Sequence, residues 1–111
     1  MEKPSEVQFV DQRLKKAFDE LKMSTTEDRQ MHEWIARALA DIQQNAFCGI
    51  QVPKNLMPRE YVKKYGIKNL WKYNLPNAWR LLYSIEGHAI KIISIVLEWL
   101  SHKQCERKFK Y

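Results

Sequence analysis

The sequence predicts an α+β domain in which two N-terminal amphipathic helices pack on one face of a small twisted antiparallel sheet, followed by a short C-terminal helix or tail. Three observations lead there. Apolar residues recur at helical spacing in the first half, as Leu14, Ala17, Phe18 and Leu21, then as Met31, Trp34, Ile35, Ala38, Leu39 and Ile42. From Leu70 onward the pattern changes to the two-residue alternation of half-buried strands. Finally, 111 residues with 45% hydrophobic content fit one modest core, so residues 1–111 read as a single domain.

Taken in order, "VQFV" is short and apolar and reads as a first strand, ahead of the helix that carries Leu14 to Leu21. The linker "KMSTTED" offers two capping pairs, Ser24 with Glu27 and Thr25 with Asp28, so the second helix is expected to start near Thr26. "FCGIQVPKNLMPREYVKKYGI" is a connector broken by Gly49, Pro53 and Pro58, with room for one or two helical turns between Pro58 and Gly66. Strands are expected over Leu70–Leu75 and Ala78–Ile85, joined by a turn at Pro76 and Asn77. After a second turn at Glu86 and Gly87, the β-branched run Ile90–Leu97 reads as a third, central strand, which completes an antiparallel meander.

Parity divides the stretch "NLWKYNLPNAWRLLYSIEG" into two faces. Trp71, Tyr73, Leu75, Trp79, Leu81, Tyr83 and Ile85 share the face that the helices cover. Lys72, Asn74, Arg80 and Ser84 share the other, which in so short a chain is expected to stay uncovered. Lys72 fits either a solvated strand lysine or a ligand contact. Arg80, between Trp79 and Leu81 in an inner strand, needs an anion, either a carboxylate such as Glu98 or a bound phosphate.

Charge is distributed unevenly. Residues 1–50 carry seven Lys or Arg against nine Asp or Glu, and residues 51–111 carry twelve against four, with nine of the thirteen aromatics. Cations interleaved with rings suit phosphates and unpaired bases, and basic surfaces also suit acidic proteins. Lys54, Arg59, Lys63 and Lys64 of the connector, Asn74, and Lys103, Arg107 and Lys108 of the tail are the candidate RNA contacts. The longest mostly apolar stretch, Ile92–Leu97 between Lys91 and Glu98, is far below the ~20 residues of a membrane span. "MEKPSEVQF" lacks a signal-peptide core, and Cys48 with Cys105 provide neither a disulfide framework nor a four-ligand zinc site. A cytoplasmic chain without metal or cofactor is expected. His102 is a candidate proton-transfer group, whereas Cys105 lacks the partners of a catalytic thiol.

The order of elements, together with "LWKYNLPNAWRLLYSIEG", the apolar strand after it and "HKQCERKF", resembles the RelE/ParE superfamily of toxins from type II toxin-antitoxin systems. The resemblance covers most of the chain and is strongest from Asn69 to Tyr111; the helical half is similar in pattern only. It implies a RelE-like fold and, for members that act on RNA, a metal-independent, ribosome-associated endoribonuclease that inhibits translation by cutting messenger RNA, through attack of a ribose 2′-hydroxyl on the adjacent phosphate. On that resemblance Arg80 matches the strand arginine at the scissile phosphate, and Lys72 a strand lysine that stabilises charge or acts as base. His102 resembles a C-terminal catalytic histidine, and Glu98 is an alternative base. Asn74 stands where strongly basic members have a second lysine, and Cys105 where a tyrosine is often found; Trp99, Phe109 or Tyr111 are the aromatic substitutes. The implied partners are a cognate antitoxin, messenger RNA and the ribosome, with no membrane or small-molecule cofactor. The alternative is a non-catalytic member, either a ParE-like gyrase poison or an inactive protein-binding homologue.

Overall fold

The computed structural model describes residues 3–87 and 91–109. β1 (Glu6–Phe9) leads into α1 (Gln12–Leu21), whose N-cap Asp11 accepts the Leu14 N–H at 2.8 Å. α2 (Thr26–Gln44) starts at the expected residue, and of the two possible capping pairs the fold uses Thr25, whose hydroxyl accepts the Asp28 N–H at 3.1 Å. The connector contributes a two-residue β2 (Ile50–Gln51) and α3 (Arg59–Tyr65), which Pro58 opens and Gly66 closes in the left-handed conformation, φ 64°. β3 (Trp71–Asn74), β4 (Arg80–Gly87) and β5 (Ile92–Leu100) follow, and the expected C-terminal segment is a helix, α4 (His102–Phe109). Asn77 and Ala78 turn β3 into β4, both at positive φ. Ile90, named above as the start of the last strand, and Tyr111 lie outside the described residues.

The sheet order is β1-β5-β4-β3-β2. β2 to β5 form the antiparallel meander, but β1 pairs parallel with β5, Glu6 facing Ile93 and Phe9 facing Val96. The sheet is therefore mixed, which corrects the expectation of a purely antiparallel one. Its cause is topological: the helix pair carries the chain to the far edge, and the meander brings it back to β1, where β5 arrives running the same way.

The helix-side core follows the parity reading. Leu75, Leu81, Tyr83 and Val96 are buried against Phe18, Met31, Ile35, Ala38 and Ile42, with Trp71, Tyr73, Trp79 and Ile85 half-buried around them. The opposite face departs from expectation: it has its own cover. Leu70, Leu82, Leu97 and Leu100 are buried there with Val52, Tyr61 and Ile67 of the connector and Cys105 of α4. The reading of an uncovered face fails because short connector segments, each too irregular to show a helical stripe, join α4 in covering it.

Candidate functional site

The residues singled out on the far face gather around the fully buried side chain of Leu82. Register places Lys72 on one side of Leu82 and Glu98 on the other, and sets Arg80 between Asn74 and Leu100 in the neighbouring row. Lys72 and Arg80 are diagonal neighbours across β3 and β4, ~7–8 Å apart at the backbone. Glu98 lies two strands from Lys72, ~10 Å away.

Glu98 reaches this face through a β-bulge. Tyr83 faces Val96 while Leu82 faces Glu98, so Leu97 is an extra residue on β5. Strict alternation from Val96, which lies in the helix-side core, would send Glu98 into that same core; the bulge turns it to the far face instead.

Arg80 is half-buried, and the one contact its guanidinium makes among the described residues is Nη1–H to the Trp79 carbonyl at 3.0 Å. It has no carboxylate partner there. Glu98, the carboxylate considered for it, is occupied: it accepts the Tyr61 hydroxyl, and Lys108 Nζ lies 2.8 Å from the same Oε2. Lys108 also pairs with Glu60 at 3.1 Å and lies over the Tyr61 ring, 4.8 Å from its centre. Burial works against the Lys108 charge, but Glu98 and Glu60 outweigh it and its pKa is raised. Burial, then the bond to Glu98, lifts the Tyr61 phenol well above its ordinary range, so Tyr61 stays neutral. Lys108 is thus drawn into the fold as a tie between α4, α3 and the sheet, and is not the free tail cation that the sequence suggested.

Lys72 is half-buried, and its side chain has no hydrogen bond or ion pair among the described residues. The Cys105 thiol lies close enough to feel both cations. Burial raises its pKa while Arg80 and Lys72 pull the other way, and burial prevails. It is a thiol packed in the far-side core.

His102 begins α4 two residues beyond Leu100, the β5 partner of Arg80, so the chain does return this histidine to the end of the sheet that holds the arginine. Its side chain is exposed and pairs within the helix, Nε2 to Glu106 Oε1 at 2.7 Å. Asn74 is exposed beside Arg80, and Lys103 and Arg107 are exposed on α4. The connector cations separate: Lys54, Arg59 and Lys63 share a groove, while Lys64 turns to the other side of α3 and lies over the Tyr65 ring at 5.2 Å. Tyr61 and Lys68 were missed by sequence reasoning. An aromatic at mid-connector carries no periodic signal, and Lys68 lies in a loop whose course only the fold defines.

Among the described residues no three His, Cys, Asp or Glu side chains are close enough to share a metal ion, and no helix is long and apolar enough to cross a membrane. No protein-family model, curated protein or solved structure matches the chain.

Proposed function

We propose that this protein is a RelE-like toxin of a type II toxin-antitoxin system, an endoribonuclease that holds a scissile RNA phosphate on Lys72 and Arg80. One observation carries the reading: Arg80, half-buried in the sheet, has no carboxylate partner among the described residues, and Glu98, on the neighbouring strand, is committed to Lys108 and Tyr61. A desolvated guanidinium left without an anion is costly, and a phosphate satisfies it in bidentate geometry. Lys72, diagonal to it and equally unpaired, doubles the positive charge at one point of the sheet. The order of strand, helix pair, meander and polar C-terminal helix also supports the resemblance.

In this reading the 2′-hydroxyl gives its proton to the base, the Lys72 amine or the Glu98 carboxylate, and its oxygen forms a bond to phosphorus as the bond to the 5′-oxygen breaks, leaving a 2′,3′-cyclic phosphate and a 5′-hydroxyl. Arg80 and Lys72 stabilise the charge that gathers on the non-bridging oxygens. His102, on the helix that follows β5, protonates the leaving 5′-oxygen once the substrate displaces Glu106. An antitoxin chain with acidic side chains would neutralise the same two cations.

A second reading has an observation of its own. Glu98 is tied to Tyr61 and Lys108 and His102 to Glu106, so neither proton-transfer group points freely at Arg80. That favours a non-catalytic member of the superfamily, a ParE-like gyrase poison or a protein-binding homologue. Inducing the chain alone and together with its neighbouring small gene, while mapping messenger RNA 5′ ends on translating ribosomes, separates the two. New 5′ ends that vanish with Arg80→Ala and with His102→Ala support the nuclease. Growth arrest without new ends, or no arrest, supports the second reading.

A further inference from the structure

The cations of the connector are not spread over the surface. Lys54 from a short 3-10 turn, Arg59 and Lys63 from α3, and Lys68 from the loop beyond it converge on one groove, and no Asp or Glu lines it. None of the four has an ion-pair partner among the described residues. Arg59 and Lys63 stand four residues apart on one face of α3, ~6 Å along its axis. The floor between them is apolar, with Val62 43% exposed. On the opposite flank of α3, Tyr61 and Glu60 look toward Glu98 and Lys108, so the groove is separate from the Lys72 and Arg80 site.

What the groove lacks decides what it fits. No aromatic ring lines it, since Tyr61 is buried and Tyr65 borders the other side of α3, so unpaired bases find nothing to stack on. Unpaired cations with long stems over an apolar floor suit a run of phosphates whose bases face away, which is what a duplex presents. We infer that this groove docks the backbone of base-paired RNA, holding the protein on a structured RNA while Lys72 and Arg80 face a single-stranded one. The choice of RNA over DNA rests on the proposed nuclease function.

The test measures binding of a fluorescent 16-base-pair RNA duplex across 50–300 mM salt, beside a single strand of the same length, the corresponding DNA duplex and vesicles of anionic lipid. Four phosphate contacts predict a log–log salt slope of ~−3 to −4, and Arg59→Ala with Lys63→Ala should flatten it by ~2. Lys54→Glu with Lys68→Glu should weaken binding further, while Lys16→Ala with Lys22→Ala, equal in charge but on the helix side, should leave it unchanged. Melting curves of each variant confirm folding. A slope that the groove variants do not move, groove variants that weaken single-strand binding more than duplex binding, or capture by vesicles alone overturns the inference. Cleavage lost in Arg80→Ala with duplex binding untouched by the groove variants sinks this inference and spares the nuclease; duplex binding without any cleavage does the reverse.

Discussion

Lys108 Nζ lies 2.8 Å from Glu98 Oε2, and that same oxygen accepts the hydroxyl of Tyr61. One carboxylate on β5 therefore fastens both helices that cover the far face, α3 through Tyr61 and α4 through Lys108. The side chains of Lys108 and Glu98 are 21% and 29% exposed, so the pair is screened from water without being sealed from it. Its two members are not equivalent. Removing Glu98 strands the buried phenol and leaves the ammonium with Glu60 alone, whereas removing Lys108 leaves Glu98 still bonded to Tyr61. Glu98→Ala should cost ~2–3 kcal/mol, and Lys108→Met, which keeps its contact with the Tyr61 ring, ~1 kcal/mol. Urea denaturation of the two variants measures the difference; equal losses would refute the central role of Glu98.

Alkali should unfold the protein early. Burial, followed by the hydrogen bond to Asp41, raises Tyr73 to about 12. Burial raises Tyr61 and Tyr83 as well, beyond the ordinary phenol range. The unfolded chain releases these protons near pH ~10 while the native state keeps them, so the native state binds more protons and stability falls as pH rises. The stabilisation is fully present below pH ~10 and is lost as pH climbs through the folded values, at ~1.4 kcal/mol per pH unit for each fully shifted tyrosine. Tyr73, partly solvated, contributes less. The raised pKa of Lys108 acts in the same direction. Urea midpoints at pH 8, 9, 10 and 11 should decline increasingly steeply above 9, and Tyr61→Phe should flatten that decline. A parallel decline in Tyr61→Phe would count against the assignment.

The helix side of this fold was legible in the sequence because each of its rules is local. The caps, the helical stripes and the strand parity through Trp71, Tyr73, Leu81 and Tyr83 are all read within a few residues. The far side was not, for two physical reasons. Its cover comes from Tyr61, Ile67 and Cys105, separated in sequence and none of them part of a stripe. The bulge at Leu97 then reverses the parity of β5, so that alternation counted from Val96 puts Glu98 on the wrong face. Lys72 and Arg80 could be set on one face from sequence because β3 and β4 pair in simple register, and α4 starts at the Arg80 end of the sheet because β5 lies against β4. The commitment of Glu98 to Lys108, which leaves Arg80 without a carboxylate, is a long-range fact that no local pattern encodes.

The two cysteines should behave differently toward alkylating reagents. Burial pushes both thiols up, but Cys48 is exposed to reagent, whereas Cys105 is buried in the far-side core. Native protein treated with N-ethylmaleimide should gain one adduct at Cys48 within minutes, and Cys105 should react only after urea is added. Cys105→Ala should retain the proposed RNA cleavage within a few-fold, because the thiol is packed in the far-side core and is not the proposed nucleophile. Rapid native labelling at Cys105 would show that α4 lifts from the sheet.

Gly49 links the stability of the sheet to the geometry of the proposed site. A methyl group added there would sit 2.7 Å from the Lys72 carbonyl oxygen and 2.7 Å from the Tyr83 hydroxyl. The first of these atoms is backbone and cannot swing aside. The second is fixed by two hydrogen bonds, one donated to the Ala46 carbonyl at 2.8 Å and one accepted from the Gly49 N–H at 3.0 Å. Gly49→Ala must therefore push β2 away from β3 at Lys72 itself, at a cost of ~1–3 kcal/mol. Among the described residues nothing lies within 4 Å of the equivalent position at Gly87, so Gly87→Ala should stay within ~0.5 kcal/mol and serve as the control. For a domain of this size that difference corresponds to a fall in Tm of roughly 4–20 °C for Gly49→Ala alone. The proposed RNA cleavage, measured well below the lowered Tm, should still be impaired, since the displaced backbone carries Lys72; full activity there would show that the proposed site tolerates movement of β3.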